Sequence, residues 1–156
     1  MRTKPFVIAM SVVVFAAIGA LSAQPQPAAG GLPKVTVYKT SSCGCCRMWV
    51  DYMKKNGFDV QAMDVSSDAV RSVSKAAGLK DDDTSCHTAK IGNYVVEGHV
   101  PAEDIKRMLK EKPAIAGLSA PGMPQGSPGM EQGSKEPYDV IAFKKDGTST
   151  VYAKHK

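Results

Sequence analysis

The residues of this chain best suited to chemistry are four cysteines, three of them within one tetrapeptide. The tetrapeptide is Cys43-Gly44-Cys45-Cys46, and Cys86 follows much later in the chain. Where a helix starts at such a tetrapeptide, its exposed N–H groups and positive dipole end favour thiolate over thiol. Gly44 lets the backbone turn so that the sulfurs can converge. The pattern therefore indicates thiol chemistry or the binding of a soft metal ion.

Three interpretations of the cysteines are open from the residues alone. Four cysteines in an exported chain can pair into structural disulfides, although a bridge within a tetrapeptide closes almost no loop and stabilises little. Cys43 and Cys46 form a Cys-x-x-Cys pair that can exchange disulfides, but a thiol at Cys45 would compete as nucleophile. Clustered thiolates also bind copper(I), and four cysteines alone can bind tetrahedral zinc.

Methionine and histidine residues offer further soft donors. Met123 and Met130 lie in a Gly/Pro-rich stretch with no helical stripe for them to join. A thioether is a neutral soft donor that favours copper(I), whereas the competing interpretation is that the loop buries both methionines as a hydrophobic plug. His87 adjoins Cys86, and His99 precedes a predicted helix, so either imidazole could complete a copper site or cap a strand end. The other methionines after the N-terminal segment occupy positions typical of core or surface: Met48, Met53, Met63 and Met108.

The elements that must position these residues follow a β-α-β-α-β-β-α order. Apolar spacing, caps and turn residues predict strands at 34–39, 58–65, 87–91 and 93–97, helices over about 45–56, 66–78 and 101–109, and a closing hairpin at 140–143 and 148–152. Residues 113–137 are predicted to form one long loop. A cysteine-bearing turn between a first strand and a helix is the thioredoxin-like order, so we predict a single α/β domain of that fold. In this fold the loop before the third strand faces the turn, which brings Cys86 and His99 to the same side.

The composition excludes several classes of protein. Of the 156 residues, 43% are hydrophobic and 22% are charged, which is ordinary globular usage and excludes a wholly disordered chain. The formal net charge is +5, and Arg2 and Lys4 in the N-terminal segment account for two of these charges. The remaining excess is too small and too scattered to predict nucleic-acid binding.

The first 23 residues have the pattern of a secretory signal peptide. Arg2 and Lys4 precede an apolar run from Phe6 to Leu21, and Ala23 offers a small residue for cleavage. The run is shorter than the roughly 20 residues that span a bilayer, which favours cleavage over anchoring. We therefore expect a signal peptide at 1–23, a linker at 24–33 and one domain at 34–156, exported to a periplasm and with no membrane association after cleavage.

Together these motifs resemble those of a known family. The Cys-Gly-Cys-Cys tetrapeptide with Trp49 after it, the segments 85–88 and 96–102, and the Pro-Gly-Met-Pro and Ser-Pro-Gly-Met loop are similar to the CopG-type periplasmic copper-resistance proteins. This is a thioredoxin-like metal-binding family formerly catalogued as a domain of unknown function. The resemblance extends over about residues 34–152.

The resemblance implies a cysteine-bridged, multinuclear copper(I) cluster with a part in copper resistance. Carried over by motif, the bridging ligands would be Cys43, Cys45, Cys46 and Cys86, and the other ligands would be His87, His99, Met123 and Met130. The family also implies copper(I)/copper(II) redox chemistry or copper transfer, with copper ions and other periplasmic copper-resistance proteins as partners. The alternative is a metal-free thiol–disulfide oxidoreductase that uses Cys43 and Cys46. A zinc-stapled structural domain is a third hypothesis.

Overall fold

Residues 31–156 form one mixed sheet with three helices in the computed structural model, which describes this part of the chain. The signal peptide and most of the linker expected at 1–33 lie outside the described residues. The strands are β1 Val35–Lys39, β2 Val60–Asp64, β3 His87–Ile91, β4 Tyr94–Gly98, β5 Gly117–Ala120, β6 Tyr138–Phe143 and β7 Ser149–His155. The helices are α1 Gly44–Lys55, α2 Ser67–Ala76 and α3 Ala102–Glu111. No helix within 31–156 has the length and apolar character needed to span a bilayer.

The seven strands lie in the order β2-β1-β3-β4-β5-β6-β7. Strand β1 pairs in parallel with β2 and antiparallel with β3, and β3 and β4 form a hairpin. This arrangement, with its three helices, confirms the predicted thioredoxin-like fold. Strands β5, β6 and β7 extend the sheet beyond β4, with β5 parallel to β4.

Helix α1 forms because its apolar residues recur at helical spacing and its ends are capped. Cys46, Trp49, Val50 and Met53 are buried on one face. The Cys43 sulfur accepts a hydrogen bond from the Cys46 amide, which caps the first turn. Beyond Asn56 the chain leaves the helix at Gly57, whose φ of +90° suits glycine. The helix therefore starts within the cysteine tetrapeptide, as the sequence predicts.

The main core lies between the sheet and helices α1 and α3. Trp49 and Met53 of α1, Ile105 and Met108 of α3, and the inward residues of β1, β3, β4 and β5 are fully buried there. The indole N–H of Trp49 donates to the Val100 carbonyl at 3.0 Å and so ties α1 to the turn before α3. Burial of these aliphatic and aromatic side chains fixes the start of α1 relative to the turn that precedes α3.

The predicted loop at 113–137 was wrong at its beginning, because residues Gly117–Ala120 form strand β5. All four residues are buried, between β4 and β6. A Cβ atom at Gly117 would collide with the Val95 carbonyl, so this position in the strand requires glycine. The loop proper runs from Pro121 to Pro137, and the hairpin after it is longer than predicted at both strands.

Candidate metal centre

Three of the cysteines lie at the start of α1, where the first helical turn crowds their sulfurs. Cys43 and Cys46 form a disulfide, and Cys45 is a free thiol. The Cys45 sulfur lies 3.5 Å from that of Cys43. The bridge is the one that a Cys-x-x-Cys pair would form, and the third sulfur sits directly beside it.

Cys86 reaches the same place from the segment before β3. Its sulfur lies 3.4 Å from the Cys46 sulfur and 3.8 Å from the Cys45 sulfur. All four sulfurs lie within 4.8 Å of one another. Two distant stretches of chain therefore meet at one point, as the thioredoxin-like order predicts, and they form a group that could hold a soft ion.

Two imidazoles adjoin the Cys86 sulfur. His99 Nε2 lies 3.1 Å from it and His87 Nδ1 lies 3.4 Å from it. His99 Nδ1 lies 2.8 Å from the Pro128 carbonyl oxygen, which can only accept, so Nδ1 carries the proton. The Nε2 lone pair of His99 therefore points at the cysteines, in the pose of a metal ligand oriented by a second partner.

His87 is fully buried, and its Nε2 atom has no hydrogen-bond partner in the described part of the chain. Its ring lies 4.6 Å from the Trp49 ring and 5.0 Å from the His99 ring, measured between centroids. A buried nitrogen without a partner is unfavourable. The nitrogen that lies beside Cys86 is the other one, Nδ1, so the candidacy of His87 as a ligand rests on Nδ1. The cysteine and histidine donors therefore fit a metal centre better than a purely apolar core.

Burial disfavours the charged forms of Cys86, His87 and His99. It raises the pKa of the Cys86 thiol to about 12, with the nearby Cys45 sulfur as a second cause. It lowers the pKa of His87 and of His99, and proximity to His99 adds to the effect at His87. The positive end of the α1 dipole, which is expected to favour thiolates, lies at the tetrapeptide. Cys86 belongs to another segment, so its pKa is determined mainly by burial. A metal ion that bound at Cys86 would have to displace its proton, whereas both imidazoles would bind as neutral donors.

The structure separates the two loop methionines. Met130 lines a cavity together with Cys45, Met48 and Gly129. Met123 is 52% exposed, and only the neighbouring Gly122 is tied to the site, through a hydrogen bond from its amide to the Thr84 carbonyl. Met130 thus lies beside the cysteines, and nothing in the described contacts brings the Met123 thioether among them. Met123 is therefore not buried as a hydrophobic plug over the domain.

The loop that carries Met130 is seated tightly on the start of α1. Gly129 has a φ of +85°, and a Cβ atom there would lie 2.9 Å from both the Cys45 carbonyl oxygen and the Trp49 amide nitrogen. Only glycine permits this approach. The close seating also places the Pro128 carbonyl against His99, so the loop is part of the centre.

Glu97 is a residue of the centre that the sequence analysis did not single out. It is 1% exposed, and its carboxylate accepts from the Ser85 amide at 2.8 Å and from the Thr88 hydroxyl at 2.6 Å. These two contacts bracket Cys86 and His87 and so fix the segment that carries them. Burial raises the pKa of Glu97 to about 7. The sequence does indicate that Glu97 is unusual, because it is a charged residue that follows Val95 and Val96 within an apolar strand.

Sulfur and imidazole donors gather at the cysteine turn of a thioredoxin-like domain. The protein therefore belongs to the class of thioredoxin-like domains that carry a candidate metal centre. The family model described as "Protein of unknown function, DUF411" matches residues 84–130, which include Cys86, His87, His99 and both loop methionines. No curated protein matches the chain.

Two solved structures give the family its name. Form 1 of a copper resistance protein CopG is 36% identical, with a TM-score of 0.72, and the match covers 80% of this chain and 98% of that one. Form 2 is 38% identical, with a TM-score of 0.73, and the match covers 81% of this chain and 100% of that one. The chain belongs to the family of the copper resistance protein CopG.

Proposed function

We propose that this protein is a periplasmic copper-binding protein that holds copper(I) in a cysteine-bridged cluster and contributes to copper resistance. The observation that carries the proposal is the convergence of four sulfurs within 4.8 Å. The names of the two CopG structures support copper as the metal. Export to the periplasm rests on the signal-peptide pattern of residues 1–23.

The donor set favours copper(I) over zinc. Four cysteine sulfurs alone would suit a tetrahedral zinc ion, but Met130 adds a thioether, which is a soft ligand typical of copper(I). The two imidazoles beside Cys86 bring the number of nearby donors above the four that one tetrahedral ion uses. We infer that the centre binds more than one ion, with thiolates shared between neighbouring ions. Several copper(I) ions would also neutralise the negative charge of clustered thiolates.

The Cys43–Cys46 disulfide suggests how redox chemistry could accompany binding. Two thiolates that each give one electron to a copper(II) ion form one S–S bond and leave two copper(I) ions. In the reverse direction two copper(I) ions reduce the disulfide and become copper(II). Cys45 and Cys86 remain as thiols in the oxidised form and keep donors at the centre.

The test is an anaerobic titration of the fully reduced protein with copper(I) in competition with a coloured chelator. We expect more than one ion per chain and absorption from thiolate-to-copper charge transfer. A matched pair of variants locates the binding, because Cys45→Ser removes one sulfur whereas Ser42→Ala alters an exposed neighbour without a sulfur. Cys45→Ser should lower the stoichiometry and Ser42→Ala should not. A wild-type protein that takes up no copper(I) would refute the proposal.

A second candidate function is metal-free thiol–disulfide exchange, which the Cys43–Cys46 disulfide favours. It predicts disulfide reductase activity that survives chelation and survives Cys45→Ser. The Cys45 sulfur lies only 3.5 Å from that of Cys43, so it would trap the exchange by forming a competing bond. Reductase activity that chelators leave unchanged, together with weak copper(I) binding, would favour this candidate over copper binding.

A further inference from the structure

Met48 lines two cavities, one of which also reaches Cys45. The first, of about 310 Å³, is lined by Cys45, Met48 and Met130 among others. The second, also of about 310 Å³, lies against Met48, Asp51 and Glu131. Met48 and Gly129 line both cavities. Met48 therefore shares one cavity with Cys45 and Met130 and a second cavity with the two carboxylates.

Met48 is placed by its position on α1. Residues three apart on a helix are neighbours on its surface, so Met48 lies one turn beyond Cys45 on the same side. The Met48 side chain is exposed, unlike the buried Trp49 and Met53 that follow it. Its sulfur accepts a hydrogen bond from the side-chain Nε2 of Gln132 at 3.5 Å, so it faces the loop that carries Met130. Met48 thus shares one cavity with a second methionine and with a free cysteine, which are residue types that bind soft ions.

The loop contributes Met130 from a fixed position. Its amide donates to the Ser127 carbonyl at 2.8 Å, and its carbonyl accepts from the Gly126 amide at 2.9 Å. The close seating of Gly129 on the Cys45 carbonyl holds this turn against α1. Met130 is half-buried at the cavity, and the loop fixes the position of its backbone.

The charges around the outer cavity suit a cation. Asp51 and Glu131 line it, with Lys55 as its basic residue. Two carboxylates against one ammonium leave an excess of negative charge at the opening. That excess raises the local concentration of a positive ion before it meets the sulfurs.

We propose that Cys45, Met48 and Met130 form an outer copper(I) site through which the ion passes between solvent and the cysteine centre. This inference rests on the proposed function. The step is a ligand exchange: copper(I) leaves its carrier, bonds to the two neutral thioethers and the Cys45 sulfur, and the Cys45 proton goes to solvent. No electron is transferred. Because the Cys45 sulfur lies 3.8 Å from that of Cys86, the same atom belongs to the outer site and to the centre.

The test compares Met48→Leu with Met63→Leu. Leucine keeps the bulk and the helix preference of methionine but removes the sulfur donor. Met63 is a matched control, since it is an exposed methionine (41% against 37% for Met48) on β2 that lines neither cavity. Copper(I) transfer from a coloured chelator to the reduced protein is followed by stopped flow. We expect Met48→Leu to slow the transfer about tenfold and Met63→Leu to transfer at the wild-type rate.

A second measurement reads the site directly. In wild-type protein with isotope-labelled methionine methyl groups, silver(I) as a copper(I) substitute should shift the Met48 and Met130 resonances together and leave Met63 in place. A Met48 signal that stays fixed while silver(I) binds, or a wild-type transfer rate in Met48→Leu, overturns the outer site. If wild-type protein binds neither ion, the proposed function fails and the outer site fails with it, which is a distinguishable result.

Discussion

Replacing Gly129 with alanine tests whether the methionine loop is part of the metal centre. Gly129 has a φ of +85°, so any other residue there is strained, and its Cβ atom would lie 2.9 Å from two backbone atoms of α1. Gly57 provides a matched control, because it has a φ of +90° but nothing within 4 Å of an added Cβ atom. The two variants share the backbone strain and differ in the collision.

The magnitudes follow from this comparison. The left-handed backbone costs an alanine about 1–2 kcal/mol at either position. At Gly129 ordinary contact distance requires the loop and helix to move apart by about 0.5 Å, and such overpacking costs about 1–3 kcal/mol more. If the loop stays in place, the collision lowers the stability of the fold. If the loop moves away from α1, Met130 moves away from Cys45 and the Pro128 carbonyl moves away from His99.

The assay combines urea unfolding of the metal-free protein with copper(I) affinity from chelator competition. Gly57→Ala should lose about 1–2 kcal/mol of stability and keep its copper(I) affinity. Gly129→Ala should fall further in at least one of the two measurements. If Gly129→Ala matches Gly57→Ala in stability and matches the wild type in affinity, the loop does not support the centre and the reasoning is refuted.

Three further predictions concern buried groups. The pKa of Glu97 rises from 4.5 to about 7 on folding, so its proton stabilises the metal-free fold at low pH. Up to roughly 3 kcal/mol of this stability is lost as the pH rises through the pKa of the folded state. Urea unfolding at a series of pH values should show the loss in the wild type and a smaller loss in Glu97→Gln. Trp49→Phe leaves the Val100 carbonyl unpaired and should lower the free energy of unfolding by about 1–3 kcal/mol, measured by denaturation followed by circular dichroism. A loss near zero would mean that this bond does not stabilise the contact between α1 and the turn before α3. Burial raises the pKa of Cys86 to about 12, so copper(I) must displace the proton of this thiol in order to bind. The affinity for copper(I) should therefore rise about tenfold per pH unit for each proton released. An affinity that does not change with pH in chelator competition would contradict this.

The sequence predicts the thioredoxin-like part of the fold because its signals are local. Apolar spacing from Cys46 to Met53 gives α1, and a serine cap before α2 is observed as predicted, with Ser66 accepting from the Ala69 amide. Strand β5 was missed because Gly117, Leu118, Ser119 and Ala120 have weak strand preference. Its conformation is imposed by pairing with β4 and β6 on either side.

The candidate centre was predictable to the extent that fold order determines it. Once the cysteine turn and the segment before β3 are assigned to a thioredoxin-like domain, Cys86 must approach Cys45 and Cys46. The loop residues follow no such rule, because the exposure of Met123 and the seating of Met130 depend on a path through glycines at positive φ. The protonated state of Cys86 likewise depends on burial, which spacing alone does not reveal.

The partner that orients His99 is a main-chain oxygen, and this has a consequence for how the centre tolerates change. Replacing the side chain at position 128 leaves that oxygen where it is, so the tautomer of His99 survives any substitution that preserves the loop's course. Insertions or deletions between residues 121 and 137 would shift the oxygen even if every donor atom were retained. Variants of the protein must therefore keep the length of this loop as well as the glycine at position 129.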